Sequence, residues 1–332
     1  MKLCIGTAKG VALLDLGGRP DVISQGPSTA FCVARDHFDS KLLYAGKASH
    51  SRSNFDGRDV LSRSRDGGHT WQPIGMRELQ KEEVWAIATA PDKSGTVYVG
   101  ASHGRIFKST DGGDSFEECV SFLKMPGRDH WSFPPPPHVP HVRSIAFDPS
   151  DPATFYAGVE EGGIFRTRDR GESFEPLNEG LYDDVHVVRV DPHDSTRLYA
   201  TTGRGFYLSE NSGTSWRQIT NGVHGYTVPL LVSNGGQVRI YIAEANQAPP
   251  AWYERETGAE AALLRSLDRG QSFERVAVPR LANGAMIMSL AENPEGGFFG
   301  ALNDGSVVAA HGDKVDVVAE GLPRAYDLVV LA

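Results

Sequence analysis

Apolar residues along this chain come in short alternating runs that recur every few tens of residues. Seven of these runs read alike: TAFCVARD from Thr29, VWAIATAP from Val84, VRSIAFDP from Val142, VHVVRVDP from Val185, YTVPLLVS from Tyr226, AMIMSLAE from Ala285 and AYDLVVLA from Ala325. Their β-branched and aromatic residues, bounded by Gly, Pro, Asp and Ser, predict strands. Within one unit, VWAIATAP is followed by TVYVGAS from Thr96, RIFKS from Arg105 and SFEECV from Ser115, which gives four antiparallel strands. Four-stranded units repeated radially make a β-propeller, and seven inner strands predict seven blades.

The last run ends at Ala332, whereas the first residues, LCIGTAKGVALLD from Leu3 and DVISQ from Asp21, read as a blade without its inner strand. The two ends are therefore expected to complete one blade, which leaves no sheet edge unpaired at the seam. The expected fold is all-β, a single seven-bladed propeller domain over residues 1–332.

A second repeat lies within the first. SRDGGHTW from Ser64, STDGGDSF from Ser109, TRDRGESF from Thr167, SENSGTSW from Ser209 and SLDRGQSF from Ser266 share Ser/Thr-x-Asp-x-Gly-x-Ser/Thr-aromatic, with Asn211 replacing Asp in the fourth. The acidic positions are separated by 45, 58, 42 and 57 residues, a period in the forties with two insertions, as blades require. An Asp carboxylate can accept N–H groups within its own turn, Gly permits positive φ, and the closing aromatic packs inward.

These segments resemble the Asp-box, or BNR, repeat of sialidases, sortilin-type receptors, some glycosidases and photosystem assembly factors. The resemblance implies a propeller with Asp-box hairpins. It implies little about chemistry, because propellers host unrelated activities. Repetition makes Asp66, Asp111, Asp169 and Asp268 structural residues.

Composition narrows the picture. A formal charge of −9 and a pI near 5.7 argue against a nucleic-acid partner, because such affinity rests on Lys and Arg. Cys4, Cys32 and Cys119 are odd in number and widely spaced, so they read as reduced core thiols. No apolar run of roughly 7–15 residues precedes Cys4 and none reaches the roughly 18 of a membrane span, so a cytoplasmic protein with no membrane partner is expected. The oligomeric state is left open, a homo-oligomer included.

The start of each inner strand and the end of the second strand share one face, opposite the Asp boxes. Aligning the second strands puts Lys9, His50, His103, Glu161, Arg204, Asn246 and Asn303 at equivalent positions. Aligning the inner strands adds Glu83 and Trp85, His141 and Arg143, and Asp184 and His186. His50, His103, His141, His186 and Glu161 are candidate ligands for a divalent metal, with Zn, Mn, Fe and Ca not distinguished. Glu83, His141 and Asp184 are candidates for proton transfer, and Arg143 and Arg204 for holding an anion. Against this, propeller histidines often bond loop backbone, and no HExxH spacing is present.

Two long loops join strands on the same face, RDHWSFPPPPHVPH from Arg128 within about 121–141 and NQAPPAWYERETGAEA from Asn246 within about 246–262. Four successive prolines make the first a stiff lid or a brace, and its Trp-Ser-Phe-Pro segment resembles bacterial Asp-box propellers labelled glycosyl hydrolases. Trp252, Tyr253, Glu254, Arg255 and Glu256 in the second suit a sugar or carboxylate ligand or a surface loop. The expected function is a small-molecule hydrolase or lyase taking a small polar or anionic molecule, with a divalent metal as the candidate cofactor. The alternative is a non-catalytic protein-binding scaffold, like the photosystem assembly factors. A glycosidase using two of Glu83, Glu161 and Asp184 is less favoured. A sialidase is disfavoured by seven blades and by Arg105-Ile106-Phe107 where sialidases carry Arg-Ile-Pro.

Overall fold

The computed structural model describes residues 1–16, 21–23, 26–49 and 57–331. In these residues the alternating runs form seven four-stranded antiparallel sheets, each ordered from the inner strand outward. The inner strands are Cys32–Arg35, Val84–Thr89, Val142–Phe147, Val185–Asp191, Tyr226–Val232, Ile287–Glu292 and Ala325–Val330. The last of these pairs with Lys2–Thr7, with Leu3 opposite Val330 and Ile5 opposite Leu328. The chain ends thus share one blade, as the sequence predicts.

The apolar core is distributed around the ring. Each large cluster lies between two neighbouring blades, as where Tyr44, Leu61 and Ile74 of one meet Val84, Val99 and Phe107 of the next. The seam has its own cluster, in which Leu3, Ile5, Ala325 and Leu328 pack on Phe299, Ala301 and Val307. Burial of this kind is worth roughly 25 cal/mol per Å² of apolar surface, and it is divided among all the joints.

Glycine at the second strand lets neighbouring blades approach. A Cβ on Gly100 would lie 2.6 Å from the Val142 carbonyl oxygen of the next blade, and one on Gly6 would lie 2.6 Å from that of Ala30. Where Thr201 takes this position its hydroxyl donates instead to Val228 O of the next blade, at 2.9 Å. At the seam Asp327 joins three blades: Oδ2 accepts from Val33 N at 2.9 Å and Oδ1 from the Ser289 hydroxyl at 2.7 Å.

The five repeated turns share one hydrogen-bond net. In the first, Ser64 Oγ donates to Asp66 Oδ1 at 2.8 Å and accepts from Gly68 N at 2.8 Å, while Asp66 Oδ1 accepts from Thr70 N at 2.9 Å and Oδ2 from the Thr70 hydroxyl. Asn211 preserves the pattern, its Nδ2 donating to Ser215 Oγ at 2.9 Å. The three thiols are buried, and burial raises the pKa of each, consistent with core packing.

Two outcomes check this account. Truncation before Ala325 removes the seam cluster and the inner strand of its blade, and the product should show no cooperative thermal unfolding. The hydrogen bonds from Thr70 lower the Asp66 pKa from 3.8 to about 2. Its contribution is therefore complete above pH ~4, declines as the pH falls and is lost below about 2. Asp66→Asn should accordingly destabilise the protein at pH 7 but not at the acid end, by chemical denaturation at both pH values.

Candidate functional site

Six of the seven inner strands carry an irregularity near the face opposite the five repeated turns. Val142 pairs with Val159 and Ser144 with Gly158, which leaves Arg143 as the extra residue. The same shift leaves Trp85, His186, Met288 and Tyr326 extra in their strands and widens the Val228-Pro229 step. A bulge re-aims the side chain it frees. All of these residues line one cavity of about 160 Å³ in the central channel.

The bulged residues of two adjacent blades build an ionic cluster beside this channel. Arg143 Nη1 lies 2.8 Å from Glu160 Oε2, with Glu160 almost fully buried. Buried Asp184 approaches His186, Oδ1 to Nε2, at 3.5 Å. Potential ligand atoms of Glu160, Asp184 and His186 all lie within 4.8 Å of one another. The His186 Nδ1 is hydrogen-bonded to the Thr227 carbonyl, which makes that nitrogen the donor. Among the described residues, neither His186 Nε2 nor Asp184 Oδ1 has a hydrogen-bond partner. Burial, only partly offset by Arg143 and His186, holds the Glu160 carboxyl above its ordinary pKa. For Asp184 burial acts the same way, but His186 in its protonated form and Arg143 outweigh it and the pKa falls below the ordinary value.

Deeper in the channel Arg189 Nη1 donates to Val188 O at 2.9 Å and to Ser144 Oγ at 3.3 Å. No carboxylate among the described residues lies within ion-pair distance of it. Arg143 and Arg189 thus present two guanidinium groups from adjacent blades to one cavity.

The sequence candidates divide among several environments. Arg143, Asp184 and His186 meet in the cluster, while Glu161 occupies a turn at φ 48° and Glu160, one residue earlier, supplies the carboxylate. His103 is half-exposed and binds Glu82 at 2.9 Å, which also binds Arg105 Nη1 at 2.9 Å. His141 is buried against Trp85, ring centroids 4.0 Å apart, outside the three-residue cluster. Glu83 is buried and accepts from Ser49 N at 3.1 Å. Arg204 is exposed, its guanidinium 4.4 Å from the Tyr182 ring centroid. His50 lies outside the described residues. Glu160 and Arg189 were not among the sequence candidates. The available signals were the Glu160-Glu161 pair and the alternation His186, Val188 against Val187, Arg189.

Both long loops are anchored by buried aromatics. Phe133 packs on Trp85 and His141 at 5.8 and 4.6 Å between centroids, and Trp131 packs on Phe165 at 4.8 Å, while the prolines lie above at the surface. Trp252 is buried against Tyr226, and its indole N–H donates to Gln247 O, so this ring serves packing and not ligand stacking.

No protein family profile matches the chain. A xyloglucanase of Hypocrea jecorina is 26% identical over 233 residues, spanning 68% of this chain and 24% of the enzyme. The photosystem II assembly lipoprotein Ycf48 of a Synechococcus species is 20% identical over 271 residues, spanning 80% of this chain and 72% of that protein. The crystal structure of a GH74 xyloglucanase from Xanthomonas campestris superposes with a TM-score of 0.63 at 16% identity, over 87% of this chain and 45% of that one. The resemblance is to seven-bladed propellers of both kinds. This chain spans about a quarter of the first curated xyloglucanase it matches.

Gly203 gives the Asp184 carboxylate its place, because a Cβ there would run into Asp184 Oδ2. Gly203 is not in the left-handed region, so the cost of a side chain is steric. Gly203→Ala should displace the carboxylate and lower stability by about 1–3 kcal/mol, measurable by urea denaturation.

Proposed function

We propose that this chain is a hydrolase or lyase whose substrate is a small anionic molecule bound at the mouth of the propeller channel. The observation that carries this reading is the pair of guanidinium groups, Arg143 and Arg189, lining one cavity of about 160 Å³. Each has N–H donors beyond those in its named hydrogen bonds, and guanidinium matches the planar geometry of carboxylate and phosphate. The cavity is smaller than the roughly 300–1,000 Å³ of drug-sized ligand sites, which favours a compact substrate over a segment of polysaccharide.

His186 lines the same cavity with Asp184 buried behind it, and Arg143 links this pair and Glu160 to the channel. Polarisation of a bound carbonyl or phosphoryl oxygen by Arg143 would assist a hydrolytic or eliminating step, with the buried Asp184–His186 pair lying behind the wall. A glycosidase in the manner of the xyloglucanases is less well supported. The oxygens of Glu160 and Asp184 are near enough for a retaining pair, but both groups are buried beneath the channel wall.

A second reading is a partner-binding scaffold. It is favoured by the match to Ycf48, which extends over most of both chains. A scaffold of that kind would hold its partner on a propeller face and would not need the channel.

Calorimetric titration of the full chain with malonate, oxalate and inorganic phosphate separates the two. On the enzymatic reading at least one binds and Arg143→Met weakens it tenfold or more, the scale of a lost hydrogen bond to a charged group. If none binds the wild type, the small-anion reading fails and the scaffold is favoured.

A further inference from the structure

Buried polar atoms that lack partners are costly. Here two of them face one another. His186 Nδ1 donates to the Thr227 carbonyl, which in the neutral ring leaves Nε2 with a lone pair and no proton. That lone pair is aimed at Asp184 Oδ1, another acceptor, at 3.5 Å, and neither atom has a hydrogen-bond partner among the described residues. Both residues are more than nine-tenths buried. Two acceptors in this arrangement require a cation between them, either a proton on Nε2 or a metal ion.

The spacing distinguishes what that is. A direct N–H···O bond would bring the atoms to about 2.7–3.2 Å. Ligands about 2.0–2.1 Å from a tetrahedral ion are instead separated by about 3.3 Å, close to the observed 3.5 Å. Glu160 provides a third donor atom within 4.8 Å of the others, and because Arg143 holds its Oε2 the remaining oxygen is the one left for a ligand. The backbone carbonyl behind His186 is the partner that a metal-binding imidazole usually has, fixing ring orientation and tautomer.

We infer that Glu160, Asp184 and His186 form a site for a divalent first-row transition cation in the wall of the channel mouth. One imidazole and two carboxylates suit Zn²⁺ or Mn²⁺ better than Ca²⁺, which prefers six to eight oxygens. When His186 is neutral, Arg143 offsets only one of the two negative charges of Glu160 and Asp184, so the cluster retains a negative charge that attracts a cation. His186 and Arg143 both border the channel cavity, which places the site directly behind its wall. This ligand set differs from the ring of histidines suggested by sequence: His103 is engaged by Glu82, and His141 stacks on Trp85. The proposed ligands are Glu160, Asp184 and His186 and not the two guanidinium groups, so cation and anion binding are measured separately and either reading can fail alone.

The test is uptake of Zn²⁺ and, separately, Mn²⁺ by the full chain stripped with chelator, measured by calorimetry and elemental analysis. One equivalent per chain is expected. Asp184→Asn and His186→Gln should each weaken uptake at least tenfold, while His103→Ala should leave it unchanged. Because a buried substitution can impair folding, the visible spectrum of the Co²⁺-loaded wild type provides a readout without variants. Intense d–d bands of a tetrahedral centre with nitrogen and oxygen ligands are expected. No uptake by the wild type, a Co²⁺ spectrum unchanged from that of the free aqueous ion, or uptake lost in His103→Ala but kept in folded His186→Gln would overturn the site. Metal uptake without small-anion binding would retain the cation site and remove the anion reading. Anion binding without metal uptake would do the reverse.

Discussion

The close approach of one blade's inner strand to the second strand of the blade before it is the constraint on which the rest of this structure depends. Gly6, Gly46, Gly100 and Gly158 stand at these approaches, and a side chain at Gly6 or Gly100 would strike backbone atoms of the next blade. Close to these approaches most inner strands take up one extra residue. The bulge turns that residue towards the channel, so the packing that closes the ring also determines which side chains meet at its mouth. Arg143, His186 and Tyr326 reach the cavity in this way.

The division of the core among the joints explains how charged groups are accommodated so near the axis. Each joint buries its own apolar cluster, so the channel wall does not have to be the hydrophobic centre. The inner strands can then carry Arg189, Asp327 and the Arg143–Glu160 pair. Buried ion pairs are seldom net stabilising compared with apolar side chains of similar size. Their presence beside a small cavity is more readily explained by a ligand than by the stability of the ring.

The fold was legible in the sequence because its determinants repeat. The inner runs, the Ser/Thr-x-Asp-x-Gly turns and the incomplete first blade are local patterns with direct physical meanings, and the strand pairings agree with them. The site was legible only in part, because side-chain direction depends on the bulges, which period-two alternation cannot register. Arg143, Asp184 and His186 were visible as residues at the start of inner strands. Alignment by strand ends selects Glu161, a turn residue at positive φ, whereas the carboxylate beside Arg143 is that of Glu160. Arg189 was missed because it lies further along the strand, on the channel side of the alternation.

The central claim is that the ionic cluster at the channel mouth serves a ligand and is not needed to hold the blades together. The most direct test is the unfolding free energy of the Arg143→Met/Glu160→Leu double variant, compared with its binding of small anions. Removing both members of a buried pair in favour of apolar groups is often neutral or stabilising. The account predicts unchanged or greater stability with binding abolished. A fall in stability of several kcal/mol, or anion binding undiminished in a stable double variant, would contradict it.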